Sequence, residues 1–164
     1  MLTTTPEQLR TEVAGLIEKL GPGRSSLIPI LQDVKRRYRA VDPEAMQVIA
    51  EALDIHPVEV YSVASFYAFL HGAPEGRFVV RLCRTLSCDF AGKQAVAEAL
   101  QKELGIGFDE STDDGMFTLE WASCMGMCDQ GPALLVNDRV YTRVTPELVP
   151  SILADCRALA AEEG

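Results

Sequence analysis

No apolar stretch in this chain is long enough to cross a bilayer. The longest run without a charged residue, Val60 to Pro74, is too short and too interrupted. A basic excess is missing too: 24 Asp and Glu outnumber 15 Lys and Arg, for a formal charge of −9. That balance argues against generic binding to nucleic acid or to an anionic membrane face. The opening residues, Met-Leu-Thr-Thr-Thr-Pro-Glu, have neither the basic nor the apolar segment of a secretion signal. There is no G-x-x-x-x-G-K-[ST] loop, no G-x-G-x-x-G turn and no Ser-His-Asp set, so no nucleotide site or hydrolytic triad is legible. Repeats and low-complexity tracts are absent as well. What the chain does have is 48% hydrophobic residues, enough to build a packed core, and five cysteines. Without a secretion signal, a cytoplasmic setting is expected, where cysteines serve as metal ligands or free thiols more often than as disulfides.

The periodicity divides the chain in two. Residues 1–72 read as a small bundle of four helices. Thr5-Pro6-Glu7-Gln8 starts the first, which carries Leu9, Val13, Leu16 and Leu20 on one face before Gly21-Pro22-Gly23. The second aligns Leu27, Leu31, Val34 and Tyr38, with Lys35, Arg36, Arg37 and Arg39 near its C-terminus, where cations suit the helix dipole and a solvated face. Asp42-Pro43 opens a third with Met46, Ile49, Ala50 and Leu53, and His56-Pro57 a fourth with Val60, Val63, Ala64 and Tyr67. Residues 73–164 change character after Gly72-Ala73-Pro74. Arg77–Leu82 reads as a buried strand, Phe90–Leu104 as one helix and 105–115 as an acidic turn region. Met116–Trp121 and Pro132–Val136 follow as strands, Asn137-Asp138 as a hairpin turn, Arg139–Thr142 as its return, and Thr145-Pro146-Glu147 as the start of a last helix. The order β-α-β-β-β-α gives an α+β or α/β second domain.

Chemistry concentrates in two cysteine pairs. Cys83 and Cys88 form C-x4-C at the end of the first strand, and Cys124 and Cys128 form C-x3-C between two later strands. Thiolates select iron–sulfur clusters, zinc or Cu(I), and four of them complete the ligands of one [2Fe–2S] centre. Zinc knuckles favour C-x2-C, which neither pair has, and the thioredoxin C-x-x-C redox motif is also missing. A Rieske centre needs two histidines, but His56 and His71 lie outside both loops at helix ends and read as structural. The readings left are a [2Fe–2S] cluster, a zinc site, or free thiols or disulfides. Thr85, Ser87 and Ser123 could donate to sulfur, while Arg81 and Arg84 oppose Asp89 and Asp129 in setting the local field. Met125 and Met127 suit packing or partner contact, Trp121 an anchor beneath the pairs, and Cys156 an apolar core position beside Leu148, Ile152 and Leu159.

With its flanks included, the sequence resembles the NuoE-like family, the small [2Fe–2S] subunit of NADH dehydrogenases. The resemblance is carried by both cysteine pairs and by Ser26–Leu31, Ile49–Leu53, Val60–Tyr67, Val136-Asn137-Asp138 and Thr145-Pro146-Glu147. It departs from the family's Gly-Tyr step between Tyr38 and Pro43. The resemblance implies a helical bundle followed by a thioredoxin-like [2Fe–2S] ferredoxin domain, with Cys83, Cys88, Cys124 and Cys128 as ligands and no catalytic side chain. It further implies a partner flavoprotein that binds FMN, NAD(P)(H) and its own cluster, among further iron–sulfur subunits. Such subunits serve respiratory complex I, NAD(P)-linked soluble hydrogenases (bifurcating ones included) and formate dehydrogenases. The run Gly126–Pro132 looks more like the hydrogenase and formate dehydrogenase branches. The expectation is therefore an electron-transfer subunit of an NAD(P)-linked oxidoreductase, with a free ferredoxin shuttle and a zinc-stabilised interaction module as alternatives.

Overall fold

The computed structural model describes residues 6–70 and 75–162. The chain forms two compact units, Met1–Pro74 and Glu75–Gly164. The expected boundary at 72/73, the Gly72-Ala73-Pro74 break, Thr5 and His71 all lie outside the described residues.

The first unit consists of α1 (Pro6–Leu20), α2 (Leu27–Tyr38), α3 (Pro43–Leu53) and α4 (Pro57–Phe66), with 3-10 turns at Arg24–Ser26 and Ala68–Leu70. Local chemistry sets the ends. Asp42 accepts a hydrogen bond from the Ala45 amide at 2.8 Å, with Pro43 in the first turn of α3. His56 is the residue before α4, and its amide donates to the Glu59 carboxylate at 3.4 Å. Arg39 ends α2 in the left-handed region (φ 58°), its amide bonded to the Lys35 carbonyl. A glycine ordinarily takes that position, and here Arg39 makes the turn instead.

The apolar stripes meet in one core of Leu9, Val13, Ile30, Leu31, Val34, Ile49 and Val60, among others. Three expectations need correction. Leu20 is exposed, because the chain leaves the bundle at Gly21. Ile30 and Val48 are buried although they were not on the anticipated stripes, since a helix packed on more than one neighbour buries a wider arc. Lys35 is buried as well, its long apolar stem lying along the core. The rest of the basic cluster behaves as expected: Arg36 and Arg37 pair with Asp33 on the solvent side.

The second unit holds β1 (Phe78–Cys83), α5 (Leu86–Phe90), α6 (Lys93–Leu104), β2 (Glu110–Ser111), β3 (Phe117–Ala122), β4 (Leu134–Val136), β5 (Arg139–Tyr141) and α7 (Val149–Glu162). The sheet order is β2-β3-β1-β4-β5. β1 runs parallel to β3 and antiparallel to β4. Phe78, Val80, Leu82, Phe117, Leu119, Leu134 and Val136 form one apolar face, which packs with Val96 and Leu100 of α6 and Leu153 and Cys156 of α7. As the central strand, β1 is nearly all buried, so it reads as a continuous apolar run.

The helix expected over 90–104 begins at Lys93, and the C-x4-C segment before it, expected as a loop, holds the short helix α5. Gly92, left-handed at φ 94°, separates α5 from α6. The acidic 105–115 region contributes the two-residue strand β2, paired to β3 through Glu110↔Leu119 and Ser111↔Thr118.

Gly76 enters the sheet where no side chain fits. A Cβ there would lie 2.6 Å from the Phe117 carbonyl carbon, and its amide already donates to Thr118 Oγ1 at 2.6 Å. Backbone at that distance cannot yield the way a flexible side chain can. Gly76→Ala is expected to lower the unfolding free energy by about 1–3 kcal/mol, read from denaturant melts; an unchanged midpoint would contradict the tight approach.

Candidate metal centre

The parallel register places Cys83, the last residue of β1, beside Ala122, the last of β3. Both strands therefore release their loops at the same sheet end. After Ala122 the chain must reach β4, which pairs on the other side of β1, with Leu134 opposite Leu82. The 123–133 segment consequently passes over the end of β1. Its ends are tied down there: the Arg84 amide donates to the Ala122 carbonyl at 2.9 Å and the Cys83 amide to the Ala133 carbonyl at 3.1 Å. The topology itself thus brings the C-x4-C and C-x3-C loops together.

Cys83 and Cys88 are buried, at 2% and 1% exposure, in a small cluster with Ala133 on which Met125 and Met127 pack. Cys124 and Cys128 are exposed, with their sulfurs 3.4 Å apart. The charge of Cys83 acts on both Cys88 and Cys128, which links the two pairs electrostatically. Among the described residues no three His, Cys, Asp or Glu side chains converge on one point as ligands of a single ion. The thiols group two by two.

Hydrogen-bond donors line the sulfurs. The Gly126 amide donates to Cys124 Sγ at 3.4 Å. Gly126 reaches this with φ 81°, a left-handed turn suited to glycine between two bulky methionines. Thr85 Oγ1 lies 3.2 Å from Cys83 Sγ. The Met125 amide acts to lower the pKa of Cys83, the Ala133 amide that of Cys88 and the Ser87 hydroxyl that of Cys128. Ser123, the third hydroxyl that could donate to sulfur, is exposed.

These surroundings separate the thiols. Burial pushes Cys83 up, but the Thr85 side-chain and backbone donors, with Cys88 and the Met125 amide, outweigh it and the net shift is downward. Cys88 is raised, first by burial and then by its neighbour Cys83. Cys128 is raised by its hydrogen bond to Cys124 and by that group's charge.

Several neighbours stand differently from the sequence expectation. Arg81 shares a face of β1 with Cys83, but its guanidinium pairs across the sheet with Glu120 at 2.9 Å and reaches Glu75 at 4.0 Å. Asp89 is engaged by Lys93 at 2.7 Å. Lys93 itself was not anticipated. It is buried, donates to the Arg84 carbonyl at 3.2 Å and lies 5.3 Å from the Trp121 ring, so it clamps the C-x4-C loop to α5 and to β3. The signal for it was its place four residues after Asp89, a favourable helical spacing. Trp121 does anchor the strand end, stacked on Phe108 at 3.6 Å. Gly131 lets the second loop lie against α5, since a Cβ there would meet Ala91 Cβ at 3.2 Å and Cys88 Sγ at 3.4 Å. Cys156 stands apart in the α7–sheet core, where burial raises its pKa.

An α/β domain that gathers four free thiols and their donors at one sheet end has the makings of a thiolate-ligated metalloprotein. Residues 13–157 match the thioredoxin-like [2Fe–2S] ferredoxin family, and the chain belongs to it. It is 36% identical over 136 residues to NADH-quinone oxidoreductase subunit 2 of Thermus thermophilus, covering 82% of this chain and 75% of that protein. To the NADP-reducing hydrogenase subunit HndA of Solidesulfovibrio fructosivorans it is 31% identical, covering 92% and 88%. The alpha subunit of the NAD-reducing hydrogenase HoxS of Cupriavidus necator is 33% identical over 147 residues, 90% of this chain; the match spans only 24% of that longer protein. A crystal structure of an NAD+-reducing [NiFe]-hydrogenase in its H2-reduced state aligns with TM-score 0.72 and 25% identity, over 80% of this chain and 22% of that one.

Exposure, not acidity, should govern attack by a bulky thiol reagent, because the reagent must reach the sulfur. In metal-free, reduced protein Cys124 and Cys128 are expected to be labelled well before Cys83, Cys88 and Cys156, as mass spectrometry of digests would show. Early labelling of Cys83 or Cys88 would contradict their burial.

Proposed function

We propose that Cys83, Cys88, Cys124 and Cys128 hold one [2Fe–2S] cluster, and that the chain is the electron-transfer subunit of an NAD(P)-linked oxidoreductase complex in the cytoplasm. The observation that carries this reading is the convergence of the two cysteine loops at the shared end of parallel β1 and β3. The donor set fits the group. Two sulfurs on one tetrahedral ion, each about 2.3 Å from it, lie ~3.8 Å apart, and Cys124 and Cys128 are already near that spacing. When bound, such a centre accepts and returns one electron at a time. The chain's own residues supply position and environment. Cys83 and Cys88 hold the buried side, Met125 and Met127 limit water there, and the amides of Gly126, Met125 and Ala133 direct N–H dipoles at the sulfurs.

The partner we propose is a flavoprotein subunit that binds FMN and NAD(P), with which this chain exchanges single electrons. Support comes from the relatives, named as subunits of NADH-quinone oxidoreductases and of NAD(P)-reducing hydrogenases. We favour a soluble hydrogenase, bifurcating forms included, or a formate dehydrogenase, over respiratory complex I, on the Gly126–Pro132 run. Among the described residues no helix is long and apolar enough to cross a membrane.

Anaerobically isolated protein is expected to be brown, with about two irons and two acid-labile sulfides per chain, the stoichiometry of a [2Fe–2S] centre. Alanine at any of the four loop cysteines should abolish or strongly weaken the visible bands, whereas Cys156→Ala should leave them unchanged. Colourless protein carrying stoichiometric zinc would replace this reading with a structural site. Co-isolation of the native chain with a flavin-containing subunit is the expected result for the partner; recovery as a lone iron–sulfur monomer would favour a shuttle.

A further inference from the structure

We propose that the Thr85 hydroxyl is a positioning and tuning group for the metal centre: it donates a hydrogen bond to Cys83 Sγ and raises the reduction potential. The inference rests on the cluster reading above. Two independent observations carry it.

The first is where the hydroxyl goes. Thr85 occupies the N-cap of α5 with the extended backbone suited to capping (φ −75°, ψ 162°), yet it makes no side-chain cap hydrogen bond. A threonine there ordinarily turns its oxygen to the free amides of the first helical turn. Here Oγ1 lies 3.2 Å from Cys83 Sγ instead. The side chain forgoes its usual partner for a sulfur.

The second is the setting of that sulfur. Cys83 is almost fully buried, among Cys88, Ala133 and the two methionines. With little water nearby, a single O–H dipole acts at low dielectric and counts for more than it would at exposed Cys124 or Cys128.

The direction of the hydrogen bond follows from chemistry. Between a thiol and a hydroxyl either atom could donate, but a metal-bound thiolate has no proton to give. Thr85 must then be the donor and the sulfur the acceptor. One electron added to the centre increases the negative charge on its sulfurs, while the hydroxyl proton remains on Oγ1 in both states. The bond is stronger in the reduced state, so it favours reduction.

The test is a mediated redox titration of the purified holoprotein, followed by the visible bands and by electron paramagnetic resonance. Thr85→Val keeps the branched shape and removes the donor; Thr85→Ser keeps the donor and removes the methyl; Thr85→Ala checks the loss without β-branching. Val and Ala should shift the oxidised-to-reduced ratio by about threefold to tenfold toward the oxidised form, a fall of ~28 to ~59 mV for one electron. The Ser variant should stay with the wild type. Equal potentials in all four proteins would overturn the inference while leaving the cluster in place. So would a Ser variant shifted as far as Val, or loss of the bands in both Val and Ala. Wild-type protein without the bands would overturn the cluster reading first.

Discussion

The parallel pairing of β1 with β3 is the constraint on which the rest of the second unit depends. Had these strands run antiparallel, Cys83 and the Cys124–Cys128 loop would emerge at opposite sheet ends, about six residues of strand apart, roughly 20 Å at the usual rise. Parallel alignment in the register Cys83↔Ala122 makes the meeting of the loops a matter of topology. The antiparallel seat of β4 on the far side of β1 then forces the second loop across the first. α6 and α7 pack on the opposite face of β1 from Cys83, so the framework and the thiols occupy different sides of one strand.

Within that frame the two cysteine pairs divide the labour. Cys83 and Cys88 are enclosed, and Cys124 and Cys128 face outward. The enclosed pair sits where each dipole has most effect; the exposed pair is where another molecule could come near. Lys93 stabilises the arrangement by bonding three elements at once: the Arg84 carbonyl, Asp89 on α5 and the Trp121 ring on β3. Arg81, two residues before Cys83, is paired on the sheet with Glu120.

Much of this was legible in the residues. The four apolar stripes, the hairpin at Asn137-Asp138 and the two cysteine loops at strand ends all follow from pattern and turn chemistry. Membership in the thioredoxin-like [2Fe–2S] ferredoxin family agrees with the resemblance carried by those same segments. What escaped depends on tertiary neighbours. The short helix α5 lies within the C-x4-C segment, where no apolar periodicity announces it, and Gly92 separates it from α6. β2 has two exposed residues and no apolar signature, so it exists only because β3 offers an edge. Lys35 and Lys93 are buried through ion pairing or long stems that composition cannot display. Which hydroxyl would face sulfur was equally hidden, because Thr85 sits at a helix start where capping is the ordinary use.

The decisive property is that iron in this protein is bound by sulfur alone and in pairs. Iron-edge X-ray absorption of the anaerobically isolated chain addresses that directly. An all-sulfur first shell with one iron neighbour at close range, lost when Cys83 or Cys128 is replaced, is the predicted result. A shell containing nitrogen or oxygen ligands, or iron with no second iron beside it, would contradict it.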